Sequence, residues 1–97
     1  RPPYGNIGLN TYKVAKQAGY DIIMADVDPR DWKQDNYKRI ENHIKEYTTN
    51  GSIICLHDGI NGSKENYEMK VLLPEIITTL QKRDYELVTV SELLNAK

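Results

Sequence analysis

Three short apolar runs alternate with stretches of helical period, and this alternation constrains the fold more than any other feature of the chain. Residues 20–27 carry Ile22-Ile23-Met24-Ala25, residues 52–57 carry Ile53-Ile54-Cys55-Leu56, and residues 85–90 carry Leu87-Val88-Thr89-Val90. Continuous apolar runs as short as the first two predict strands buried on both faces, as in parallel sheets, and 85–90 reads as a third strand. A helix is expected over 10–18, capped by Asn10 and stopped by Gly19. A second begins after Asp35 or Asn36, carries Tyr37, Ile40, Ile44 and Tyr47 on one face, and stops at Asn50-Gly51. A third covers 67–82 with Leu72, Leu73, Ile76, Ile77 and Leu80 facing inward; its regular part starts near Leu73, with Pro74 in the first turn. Ser91 caps a short final helix, followed by Glu92. The order loop-α-β-α-β-α-β-α predicts right-handed βαβ units and an α/β fold with parallel strands, either a small open sheet or part of a larger barrel.

Length supports one small domain, since 97 residues bury only about 60–65% of the unfolded surface. With the 7 Tyr exchanged for the 6 Gly the apolar share is about 38%, against roughly 45–50% in typical globular domains. The core is thin for an independent fold. The opening Arg1-Pro2-Pro3-Tyr4-Gly5 is rigid loop, because two prolines fix φ and remove amide donors. Together these features lead us to expect a truncated or nicked chain.

Charge and cysteine content exclude several functions. Thirteen basic against 14 acidic residues leave a formal net charge of −1, which gives no electrostatic case for nucleic acid or an anionic membrane as the main partner. No apolar run approaches the 18 or so residues of a bilayer span, and no charged-then-apolar leader is visible. One cysteine excludes an internal disulfide framework and a multi-thiolate zinc site.

In parallel α/β sheets, functional groups gather at the carboxyl ends of strands. Asp26, Asp28, Asp31 and Trp32 follow the first run, and His57 and Asp58 close the second. His57 reads either as a structural hydrogen-bonder or as a catalytic group; its apolar approach would desolvate the imidazole unless a carboxylate answers it. Asp26-x-Asp28-x-x-Asp31 lacks the glycine of an EF-hand loop and has Pro29 instead, so it does not read as a calcium site. Asp28 or Asp31 also fits a turn cap. His43 lies on a helix 14 residues before His57, and no zinc site is expected within the chain. Cys55 and His57 project to the same strand face, so a thiol–imidazole nucleophile is geometrically conceivable; a small buried cysteine is the simpler reading. The Asn-Gly-Ser triplets at 50–52 and 61–63 fit turn chemistry as well as glycosylation and carry no weight.

Three segments combine into a more specific pattern. Arg1-Pro2-Pro3-Tyr4-Gly5, Asp28-x-x-Asp31-Trp32 and Ile53-Ile54-Cys55-Leu56-His57-Asp58 resemble, in order and separation, the last three of the five motifs of the polysaccharide deacetylases, the NodB-homology domain of carbohydrate esterase family 4. Leu73-Pro74-Glu75-Ile76-Ile77 and the stretch 85–94 resemble that family's ending, so the likeness covers essentially all 97 residues. The resemblance implies the C-terminal half of a distorted (β/α) barrel, residues 1–97 forming the C-terminal portion of one catalytic domain whose N-terminal half is absent. It further implies a metal-dependent hydrolase that removes N-acetyl groups from N-acetylglucosamine polymers such as peptidoglycan or chitin. The implied cofactor is a divalent ion, zinc first, with ligands outside this chain, and the implied location is extracellular or in the cell envelope.

Carried over residue by residue, the resemblance makes Arg1 the partner of an Asp base not in this sequence and the Tyr4 amide an oxyanion donor. His57 becomes the general acid, Asp31 its orienting carboxylate, Trp32 a wall of the acetyl pocket, and Cys55 a lining residue where the family usually has Leu. Ala25 stands where relatives often have Trp, and Asp84 where a Gly often precedes the last strand. The expected partners are an acetylated polysaccharide and either the N-terminal half of the domain or a second copy of the chain. The fragment alone is expected to be inactive. Acetylxylan esterase activity and a non-catalytic carbohydrate-binding relic are the alternatives.

Overall fold

The structure is a computed structural model, and it describes residues 1, 2, 5–33, 37–58 and 69–95. Among these residues four helices follow one another: α1 (Leu9–Gln17), α2 (Tyr37–Tyr47), α3 (Met69–Lys82) and α4 (Val90–Asn95), with a 3-10 turn over Asp31–Lys33 between α1 and α2. Each expected helix is present. The three expected strands are not: among the described residues 20–27, 52–57 and 85–89 form no ladder, and Val90 already belongs to α4. One parallel bridge joins Val27 to Ile54, held by Val27 N–H to the Ile53 carbonyl at 3.2 Å and Cys55 N–H to the Val27 carbonyl at 2.9 Å. A ladder needs successive paired residues, and the first two segments converge only here. The third stands off from residues 52–54 across a cleft of about 250 Å³ lined by Ile53, Ile54, Leu87 and Val88.

The core lies between α2 and α3. Ile40 and Ile44 of α2 meet Met69, Leu72, Ile76 and Leu80 of α3, with Val27 beneath them. Spacings of three and four place these side chains in one stripe on each helix. The stripe is narrower than the sequence suggested: Leu73 and Tyr47 are exposed, Tyr47 lying instead at a tilt against the His43 ring, 4.6 Å between ring centroids. Neither α1 nor α4 buries a residue, in keeping with a thin core.

Helix ends follow local backbone chemistry. α1 starts one residue before Asn10, with extended Gly8 at the cap position and no side-chain cap. It ends in a Schellman motif: Gly19 takes φ +80, its N–H bonds the Lys16 carbonyl, and Tyr20 N–H bonds the Ala15 carbonyl. α3 ends the same way, with Asp84 in the left-handed position at φ +66 and Tyr85 N–H on the Leu80 carbonyl at 3.1 Å. That conformation costs a residue with a β-carbon about 1–2 kcal/mol, which explains why a glycine suits the position. α4 is capped by Thr89 rather than Ser91. Glu92 N–H donates to Thr89 Oγ1 at 3.1 Å and Thr89 N–H donates to Glu92 Oε1 at 3.3 Å, a reciprocal capping box. Pro74 lies inside α3 rather than in its first turn, on the exposed side, so the carbonyl that it leaves without an amide partner faces away from the core. The expected caps Asp35 and Asn36 lie outside the described residues.

Two contacts tie the C-terminal ends of α2 and α3 together. Arg83 Nη1 donates to the Lys45 carbonyl at 2.8 Å, and Tyr85 Oη donates to the Thr48 carbonyl at 2.9 Å. The parallel approach of 20–27 and 52–57 then leaves both carboxyl ends on one side of the molecule.

Candidate active site

Asp31 and His57 meet at that carboxyl end. Asp31 is fully buried, a costly position for a carboxyl group unless its oxygens are bonded. Oδ2 accepts the His57 backbone N–H at 2.7 Å, and Oδ1 lies 2.8 Å from His57 Nδ1. One carboxylate therefore fixes both the main chain and the ring of His57. A carboxylate that accepts from the amide also calls for a proton on Nδ1, an assignment made from the hydrogen-bond pattern. Nε2 is then the ring nitrogen left to exchange a proton with a substrate. The imidazole side chain is 39% exposed while Asp31 is at 0%, which is the arrangement of a buried orienting acid beneath an accessible base or acid.

The local sequence explains the placement. Asp28 Oδ1 accepts Arg30 N–H at 3.0 Å, turning the chain after Val27, and Lys33 N–H closes the 3-10 turn on the Arg30 carbonyl at 3.1 Å. Asp28 thus shapes the turn, and Asp31 turns inward as its successor. Asp26 points the other way and accepts Ile53 N–H, bracing the two extended segments against each other.

The remaining expected site residues divide. Trp32 follows Asp31 on the turn and is 45% exposed, with Lys33 Nζ 5.8 Å from its ring. Arg1 lies near enough to Cys55 for its charge to bear on the thiol, and Asp31 joins the second motif segment to His57 of the third. Tyr4 lies outside the described residues. Burial pushes the Cys55 thiol above its ordinary range and Asp28 and Asp31 add to the shift, while Arg1 opposes it. The thiol is therefore protonated at neutral pH, the opposite of an activated nucleophile. Alkylation by iodoacetamide is accordingly expected to be slow at pH 7 and to rise only at pH above the ordinary thiol range, with Cys55→Ser keeping most of the activity. Rapid alkylation at pH 7 together with loss of activity in Cys55→Ser would restore the thiol–imidazole reading.

Among the described residues no group of three or more His, Cys, Asp or Glu side chains is arranged to hold a metal ion. His43 is engaged with Tyr47, and the His57 Nδ1 position is taken by Asp31. One residue of consequence carried no signal in the sequence: Arg39, on the first turn of α2, hydrogen-bonds the turn that precedes Asp31.

No family model matches the chain. It is 39% identical over its whole length to the peptidoglycan-N-acetylglucosamine deacetylase of Bacillus cereus, covering 45% of that protein. It is 37% identical over its whole length to the peptidoglycan-N-acetylmuramic acid deacetylase PdaC of Bacillus subtilis, covering 19% of that protein. The solved structure of PdaC superposes on 96% of the chain with a TM-score of 0.76 and 35% identity, the match spanning 42% of that chain. The chain thus spans less than half the length of these relatives. From end to end, it is homologous to the C-terminal part of the polysaccharide deacetylases of the NodB type.

Proposed function

We propose that these residues form the C-terminal portion of a catalytic domain that hydrolyses N-acetyl groups from N-acetylglucosamine-containing polymers, peptidoglycan first, in the extracellular space or cell envelope. The observation that carries this reading is the Asp31–His57 pair, with both oxygens of a fully buried carboxylate on one histidine. It is supported by relatives whose names are peptidoglycan and chitooligosaccharide deacetylases.

Amide hydrolysis needs a proton delivered to the leaving nitrogen, because an amine anion is too basic to depart. His57 Nε2–H supplies it. Asp31 keeps Nδ1–H bound, so the positive charge on the doubly protonated ring is met by a carboxylate that does not need to move. Trp32, exposed beside the pair, walls the acetyl pocket, and Cys55 lines it as a neutral thiol. Arg1 holds a partner carboxylate and the Tyr4 amide stabilises the oxyanion.

The described residues do not fit a divalent ion on their own, so none of these steps is routed through one. A zinc ion in the complete domain would take its ligands from outside this set. In that domain 20–27, 52–57 and 85–90 serve as strands of a (β/α) barrel, the Val27–Ile54 bridge marking the register of the first pair. The rest of the domain, or a second copy of the chain, covers the apolar side chains that α1 leaves exposed, Leu9 and Val14 among them. A fragment of residues 1–97 alone is inactive.

A xylan deacetylase also matches, at 34% identity over 59 residues, so the test compares substrates. The full-length protein is incubated with peptidoglycan, with chitooligosaccharide and with acetylated xylan, and acetate and free amine are measured together. Equal amounts of acetate and amine from the first two support the proposal. Acetate without amine, from xylan alone, would make the protein an esterase, and no acetate from any of them would leave a carbohydrate-binding role.

A further inference from the structure

Asp31 lies beneath His57 only because the chain makes a disfavoured turn immediately before it. Arg30 has φ +53, in the left-handed region that a β-carbon disfavours and that persists only where surrounding contacts impose it. The Asp28 carboxylate holds one side of the turn by accepting Arg30 N–H. The other side is held from α2. Arg39 Nη1 donates to the Pro29 carbonyl at 2.7 Å, and Nη2 donates to the Arg30 carbonyl at 3.1 Å. These carbonyls belong to the two peptide planes that flank Arg30. Pinning both planes fixes the φ and ψ of Arg30, and the second plane is the one that leads into Asp31. A planar guanidinium fork spans two such acceptors, where a single ammonium addresses one point.

We infer that Arg39 is a positioning residue for the Asp31–His57 pair, acting through the Pro29–Arg30 backbone rather than on substrate. The inference rests on the reading above that this pair transfers the proton. With the fork removed, Arg30 relaxes toward ordinary backbone angles and the Asp31 carboxyl swings from beneath the ring. The Nδ1 proton is then exposed to water more often.

The test is the solvent-exchange rate of the His57 Nδ1 proton, followed by NMR in the full-length protein carrying nitrogen-15 histidine. Arg39→Met is compared with Arg83→Met, which also removes an arginine from a backbone carbonyl, that of Lys45 at the far end of α2. Exchange is expected to be faster by at least about fivefold in Arg39→Met, the scale of losing a charged hydrogen bond that holds the closed form, and unchanged within about twofold in Arg83→Met. A smaller change in Arg39→Met, or the same acceleration in both variants, would overturn the inference, because Arg39 would then act through general stability. Should Arg39→Met fail to fold, Arg39→Lys is read against the same threshold of about fivefold. Acetate release enters neither arm, so a protein without deacetylase activity would overturn the proposed function and leave this result standing.

Discussion

Replacing His57 with alanine in the full-length protein is expected to lower kcat on an N-acetylglucosamine polymer by about 10²–10⁴-fold, the span of a positioned general acid or base. KM is expected to change much less, because the proton moves only as the carbon–nitrogen bond breaks and the ring adds little to ground-state binding. The variant should fold. Asp31 keeps its bond to the backbone N–H of residue 57, so the buried carboxylate is not left bare. Circular dichroism and a thermal melt alongside the kinetics separate lost chemistry from lost structure. A near-normal kcat would place the proton donor elsewhere.

Ile40→Ala is the substitution expected to cost most in stability, about 2–5 kcal/mol, through lost transfer energy and the cavity left behind. Ile40 is at 0% exposure and belongs to the small cluster in which α2 meets α3. A core of seven buried apolar residues among those described has few alternatives for repacking, which favours the upper part of that range. Urea unfolding followed by circular dichroism measures it. Loss of less than about 1 kcal/mol would mean that the α2–α3 seam is not the principal core.

The parts of this structure that were legible in the sequence are those governed by local chemistry. Ile40, Ile44, Leu72, Ile76 and Leu80 recur at helical spacing and are buried. Gly19 stops α1 because its backbone is the one that adopts φ +80 without a penalty. Thr89-x-x-Glu92 is a capping box that can be read from four letters, and choosing Ser91 missed the reciprocal partner. What was not legible depends on distant neighbours. The apolar runs at 20–27 and 85–90 carry strand composition, but a ladder forms only when another backbone lies alongside, and here one bridge is made. The Asp31–His57 contact crosses 26 positions; its residue types were visible as strand-end polar groups, and the family likeness paired them. Arg39 was invisible because nothing in its letter or its place on a helix reveals that two carbonyls wait beside it.

The central claim is that Asp31 and His57 act as one proton-transfer unit, and a double-mutant cycle on kcat tests it most directly. Asp31→Asn alone is expected to lower kcat by about 10–10²-fold, since an amide still fills the site but does not meet the charge on the ring. In the His57→Ala background the same substitution is expected to change kcat by less than about twofold, because there is no longer a ring to orient. A full, multiplicative loss from Asp31→Asn in that background would contradict the account and show that the carboxylate acts independently of the histidine.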